Sequence, residues 1–234
     1  MEYPKINTIW KRDEKTHHVL EGDYSCPEFG AIDSWTVTEK VDGTNIRVIY
    51  HPPSKDAYER SMEHPDDWLQ FRGKTDNAQI PPPLLAYLRE TFTPEKLKPI
   101  FPEDTTTVVL FGEGFGGKIQ HGGRYRKDES FVLFDVWIDG WWLEFPNVMD
   151  IANKLGIQHV PFLGIMTTDL ALQCVSYVMP APLLSRIAED KTFVIEGIVA
   201  TSHPMMMFRK GGVPIRWKLK VKDFAKKVKL EKRE

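Results

Sequence analysis

The chain has 234 residues, 41% hydrophobic and 27% charged, the balance of an ordinary globular protein rather than a disordered or fibrous one. Its formal net charge of −2 excludes a polycation, so any contact with nucleic acid has to come from a local basic patch. Cys26 and Cys174 make neither a disulfide framework nor a zinc-ligand spacing, and there is no long apolar run or basic-then-apolar leader, so a cytoplasmic chain without a membrane segment is expected.

Residues 1–34 are polar and irregular and read as a surface arm with a strand near Ile6–Trp10. Trp35-Thr36-Val37-Thr38 alternates apolar and polar, and Ile46-Arg47-Val48-Ile49-Tyr50 is rich in β-branched and aromatic residues. Both read as strands, and Asp42-Gly43 between them reads as the tight turn of a hairpin that carries Lys40. His51 to Lys55 breaks this pair, and Tyr58–Asp67 is charged and expected at the surface. Trp68–Arg72 reads as a short strand before Gly73-Lys74-Thr75. Pro81 to Pro83 lead into a helix over Leu84–Phe92, and Thr93 with Pro94 starts another.

Val108–Glu113 reads as a buried strand ending on a carboxylate, followed by a glycine-rich run to Gly123. Phe131–Trp137 is a second apolar strand, turned by Asp139-Gly140 into Trp141–Phe145. Asn147 is the expected cap of a helix that Gly156 ends, and Asp169–Val178 and Leu183–Ala188 read as further helices. Phe193–Val199 reads as a strand with Glu196 in its middle. Ile215–Val221 alternates, with Lys218 and Lys220 on one face, and a charged tail begins at Lys222. Strands cluster in the first two thirds and helices lie between the later strands, which fits an α+β fold with antiparallel sheets.

Each polar residue in these strands has an ordinary structural reading. Glu113, Asp135 and Glu196 fit a solvated face, and a lysine pair such as Lys218 and Lys220 commonly protects a sheet edge. Together they make another inventory: candidate nucleophilic lysines, carboxylates for a divalent cation and paired lysines for a polyphosphate, the set needed for attack on a nucleotide phosphate. In chain order, Lys40-Val41-Asp42-Gly43-Thr44-Asn45, Phe111-Gly112-Glu113, Phe131 to Val136, Glu196-Gly197-Ile198-Val199 and Trp217-Lys218-Leu219-Lys220 resemble five motifs of the covalent nucleotidyltransferase superfamily of ligases and RNA capping enzymes. The likeness spans about Trp35 to Phe224 and is greatest to the nick-sealing RNA ligases, whose type member is a bacteriophage enzyme.

The resemblance implies a single nucleotidyltransferase domain over residues 1–234, with two antiparallel sheets flanked by helices and a nucleotide cleft between them. It implies an ATP-dependent RNA ligase using Mg²⁺ or Mn²⁺. Lys40 matches the nucleophile that takes AMP as a phosphoramidate, and Glu196 the carboxylate that organises the metal. Glu39, Asn45, Lys74, Glu113, Phe134, Lys218 and Lys220 match nucleotide-binding positions: Asn45 near the phosphate, Glu113 at the ribose, Phe134 under the adenine, and Lys218 and Lys220 on the phosphates. Asp42 and Asp135 also align with motif positions. Lys74 stands where the family has an arginine before a threonine, and Arg72 is the other candidate for that contact. No counterpart of the additional C-terminal domain that many such ligases use is expected after Lys220. Expected partners are RNA ends or a nicked RNA duplex, DNA remains open, no membrane partner is expected, and a monomer is favoured. A DNA ligase, a GTP-using capping guanylyltransferase and a non-catalytic nucleic-acid-binding module are the competing readings.

Overall fold

The structure is a computed structural model that describes residues 1–52, 68–101, 104–176 and 183–223. Its elements, in chain order, begin with β1 (Asn7–Thr8), β2 (Trp10–Arg12), β3 (Val19–Tyr24), α1 (Pro27–Ala31), β4 (Trp35–Lys40), β5 (Thr44–Tyr50) and β6 (Leu69–Arg72). Then follow α2 (Pro82–Thr91), α3 (Pro94–Leu97), β7 (Val108–Phe115), β8 (Ser130–Ile138), β9 (Trp141–Trp142) and α4 (Phe145–Leu155). The last are β10 (Gln158–His159), β11 (Phe162–Met166), α5 (Thr168–Gln173), β12 (Gly197–Ser202) and β13 (Arg216–Lys220). The α+β class follows from this inventory. Among the described residues no helix is long and apolar enough to cross a membrane.

The chain divides into two compact units, one of Met1–Tyr3 with Asp42–His159, the other of Pro4–Val41 with Val160–Glu234. In the first unit the sheet order is β10-β8-β7-β5-β6, with β9 beside β8. All pairs are antiparallel except β10 with β8. Side chains alternate across a strand, so each strand has a core face and a second face. Ile46, Val48, Tyr50, Leu110, Phe131 and Leu133 form the core face, against Leu84, Leu88 and Phe92 from the α2 side and Val148, Ile151 and Leu155 of α4. Asn45, Arg47, Phe111 and Glu113 alternate with them and therefore lie on the second face. Helix α4 opens at Phe145 rather than at Asn147, because Pro146 fits only the first turn, where its missing N–H is not needed; Gly156 ends it in the left-handed conformation, φ 67°.

In the second unit the order is β1-β13-β12-β4-β11, antiparallel except for β1 with β13. Trp35 and Val37 of β4, Ile198 and Ala200 of β12, and Trp217 and Leu219 of β13 form its core face, with Ile9, Trp10, Phe29 and Ala171 packed there. The segment read as a surface arm therefore contributes to a core: Ile9 and Phe29 are fully buried, β2 and β3 pair, and β1 joins β13.

Several sequence expectations change. Trp35–Lys40 and Thr44–Tyr50 are both strands, yet they do not form a hairpin. β4 is bonded on both edges, to β12 and β11, and β5 on both of its edges, to β7 and β6, so Val41-Asp42-Gly43 carries the chain from one sheet to the other. Gly43 is needed there, since a Cβ would run into the Gly114 carbonyl. Leu183–Ala188 is not helical: Ser185 N–H donates to Phe193 O and Ile195 N–H to Leu183 O, so extended pairing takes these backbone groups. The β12 strand begins at Gly197, leaving Glu196 immediately before it instead of inside a strand. Helix α5 stops at Gln173, short of the expected end. Tyr58–Asp67 and the tail from Phe224 onward lie outside the described residues.

Candidate active site

The second unit brings charged groups from three neighbouring strands to one place. Lys40 ends β4, Gly197 begins β12 and Lys220 ends β13, and the register sets Gly197 directly opposite both lysines. Residues so paired project to the same face. Glycine is required in the middle of this row because a Cβ would run into the Leu219 carbonyl. Glu196, the preceding residue, receives both cations: Lys40 Nζ donates to its Oε2 at 2.5 Å, and Lys220 Nζ pairs with its Oε1. All three side chains are only partly exposed, so solvent screens these contacts less than it would on an open surface. Lys218 lies one row further along the same face, paired in register with Val199, which in turn faces Thr38.

Glu39 goes the other way. It lies on the core face, 1% exposed, where Ser185 Oγ donates to Oε1 at 2.5 Å and Arg186 N–H to Oε2 at 3.1 Å. Burial pushes its carboxyl up from the usual range, and the two hydrogen bonds oppose that rise without cancelling it. Its side chain braces the 185–186 segment against β4 and does not join the Lys40 group.

The first unit supplies the remaining motif residues, all on the second face of its sheet or in its loops. Asn45 and Glu113 are directly opposed across β5 and β7. Asn45 Oδ1 is buried with no hydrogen-bond partner among the described residues, an acceptor of the kind that ordinarily marks the place of a missing partner. Phe134 is the extra residue of a β-bulge. The β7–β8 register jumps from Phe111 opposite Asp135 to Gly112 opposite Leu133, which leaves Phe134 without an opposite number and half-exposed. Lys74 is exposed in a turn beyond the end of β6, so it does not share a strand face with Arg72. Asp42 is tied to the glycine-rich segment: its N–H donates to the Tyr125 hydroxyl at 3.1 Å, and His121 Nδ1 lies 2.8 Å from its Oδ2.

Two residues of this face escaped the sequence reading. Arg47 is 1% exposed, with Nε donating to Gly73 O at 2.8 Å, Nη1 to Met1 O at 2.9 Å and Nη2 to Asp76 Oδ1 at 2.8 Å. The guanidinium holds the Asp76 carboxyl below its usual range. Tyr3 packs on Phe134 and on Phe111, ring centroids 5.0 Å apart in each case, and donates its hydroxyl to Asp135 Oδ2 at 2.5 Å. Arg47 had a signal in the sequence, an arginine inside an apolar strand, which must find partners if it is buried. Tyr3 had none, since its neighbours come from distant strands.

Among the described residues no three or more His, Cys, Asp or Glu side chains gather as a metal cage. Glu196 as the one protein carboxylate still fits Mg²⁺ or Mn²⁺, because Mg²⁺ is commonly held by one or two carboxylates, with substrate phosphates and water completing the shell.

The family model for RNA ligases matches residues 33–221 of the chain. Among curated proteins there is no sequence match. Among solved structures, a lysine-to-alanine variant of the Naegleria gruberi RNA ligase with ATP and Mn is 16% identical, with a TM-score of 0.60, over 97% of this chain and 59% of that one. A glutamate-to-alanine variant with AMP and Mn is 17% identical, TM-score 0.59, over 96% and 63%. An arginine-to-alanine variant with ATP and Mn is 18% identical, TM-score 0.57, over 84% and 52%. At such identities the likeness is one of fold, and the chain spans a little over half the length of these structures. The ligands in their names are of the classes that the sequence resemblance implies. With a family match over most of its length, the chain belongs to the RNA ligase family.

Proposed function

We propose that this chain is the nucleotidyltransferase part of an ATP-dependent RNA ligase of the nick-sealing kind, working through a lysyl-AMP intermediate with Mg²⁺ or Mn²⁺. The observation that carries the reading is the convergence of Lys40, Glu196 and Lys220 at the ends of three adjacent strands. ATP and a divalent metal are the ligands named for the Naegleria relatives, which supports the same classes here.

In this reading Lys40 Nζ, after losing a proton, attacks the α-phosphorus of ATP. An N–P bond forms, the bond to the bridging oxygen breaks, and pyrophosphate leaves. Lys220 and Lys218 bring positive charge to the phosphates, where charge builds in the transition state. Glu196 would hold the divalent cation, which neutralises phosphate charge when bound. Phe134, Glu113 and Asn45 hold the base and the ribose-phosphate side, and Lys74 reaches a phosphate as a point charge rather than as the bidentate fork of an arginine. The AMP then passes to a 5′-phosphate, and attack by a 3′-hydroxyl seals the strand and releases AMP.

The test is incubation with α-labelled ATP and Mg²⁺, denaturation, then a chase onto nicked RNA and nicked DNA. Covalent label in wild type and none in Lys40→Ala is expected, with transfer favouring RNA. Wild type without label refutes the reading. Label taken from GTP instead points to a capping enzyme, and a preference for all-DNA nicks points to a DNA ligase.

A further inference from the structure

We propose that Arg47 is a positioning residue for the nucleotide: it fixes the turn over residues 73–76 and so presents Lys74 to a phosphate. This rests on the proposed function, in which Lys74 is a phosphate contact.

Arg47 lies in the middle of β5, in register with Phe111 of β7 on one side and Arg72 of β6 on the other, and is 1% exposed. A guanidinium always keeps its charge, so burying it is costly unless its donors are engaged. Here each of its nitrogens donates to the chain itself. Nε reaches the Gly73 carbonyl at 2.8 Å, Nη2 the Asp76 carboxylate at 2.8 Å and Nη1 the Met1 carbonyl at 2.9 Å. Sealed in this way, Arg47 acts through what it holds rather than by touching a ligand.

Two of the three bonds go to the first and last residues of one four-residue turn, and Lys74 stands between them, exposed. The ladder between β5 and β6 ends at Arg72, so strand pairing does not hold this turn, and the guanidinium takes its place. The turn is closed from its far end as well. Ala78 N–H donates to Thr75 O at 3.1 Å, and a Cβ on Gly73 would come within 2.8 Å of the Ala78 Cβ. A lysine needs such support more than an arginine does. Its ammonium is a point charge on a flexible stem and lacks the planar fork that orients an arginine on phosphate, so its placement depends on a fixed backbone.

The experiment measures the rate of covalent labelling across ATP concentrations in wild type, Lys74→Ala, Asp76→Ala, Arg47→Met, and the last two each combined with Lys74→Ala. Asp76 is largely exposed, so Asp76→Ala removes one grip on the turn at little risk to the fold, and thermal melts verify that each variant folds. Lys74→Ala and Arg47→Met are each expected to raise KM for ATP about 10-fold and Asp76→Ala about 3-fold, with kcat changing less than KM, because each misplaces or removes one binding contact. In the Lys74→Ala background the other two substitutions should add less than about 2-fold, since residues that act through one contact do not contribute independently. A merely structural role would leave their effects undiminished there. That result, or a folded Asp76→Ala with the wild-type KM, overturns the assignment while leaving the lysyl-AMP reading standing. Wild type that takes no label removes both.

Discussion

The two units treat their charged residues in opposite ways. In the second unit three ionised side chains meet one another at the sheet end: Lys40 and Lys220 share Glu196, and all three remain partly accessible. In the first unit the central charge, Arg47, is sealed from water and taken up by backbone carbonyls and Asp76. Charges left facing each other can be exchanged for charges on a substrate. A charge saturated by the fold holds geometry and takes no part in exchange. On the proposed function, the contrast sets chemistry in the second unit and recognition in the first.

The largest effect that can break this separation lies at Glu196. Glu196→Gln keeps the shape and removes the charge shared by Lys40 and Lys220. It is expected to slow covalent labelling about 100-fold or more at saturating ATP, the scale of losing a preorganised charge at a reacting phosphate. The division of labour predicts a fall in kcat far exceeding any change in KM, and quench-flow labelling across ATP concentrations measures both. A variant altered only in KM would put Glu196 with recognition.

Next in size is Arg47→Met. It leaves the Gly73 and Met1 carbonyls without their donor, at an expected cost of about 3 kcal/mol of stability in urea unfolding. The same variant should raise KM for ATP, because the turn carrying Lys74 loses its anchor. A loss of less than about 1 kcal/mol would mean that water or another group serves those carbonyls once the guanidinium is gone.

The smallest effect is expected at Glu39 and shows in the pH dependence of stability. Its folded-state pKa is raised, chiefly by burial. The folded chain therefore keeps a proton at a pH where the unfolded chain has already released one. Stability is greatest below the unfolded value and falls as pH rises through the raised folded value. Glu39→Gln should flatten this part of the profile in thermal melts recorded across the weakly acidic range. A profile as steep as that of wild type would assign the slope to another group.

How much of this was legible in the sequence depended on range. The strands bearing Lys40, Glu113, Phe134 and Lys220 announced themselves, because an apolar run or a clean alternation is a property of the segment itself. The pairing of those strands was not local. Asp42-Gly43 carries good turn chemistry, yet turn chemistry cannot tell whether two flanking strands share a sheet, and here both edges of β4 are taken by β12 and β11 from the far end of the chain. The same holds at Leu183–Ala188, where helical composition lost to pairing with residues around Phe193 and Ile195. Among the site residues, the alternation that set Lys218 and Lys220 on one face carried through, and so did its consequence for β4: Glu39 and Lys40, adjacent in sequence, point to opposite faces. Tyr3 was out of reach, since nothing near it in the chain hints at Phe134, Asp135 or Trp142.

The central claim is that Lys40 forms a covalent bond to AMP. Intact-mass measurement of wild type after incubation with ATP and Mg²⁺, followed by peptide mapping, tests it most directly. The predicted result is a single AMP adduct, carried by the peptide containing Lys40, acid-labile as a phosphoramidate should be, and absent from Lys40→Ala. An adduct on a different lysine, or none on wild type under conditions where ATP binds, would contradict it.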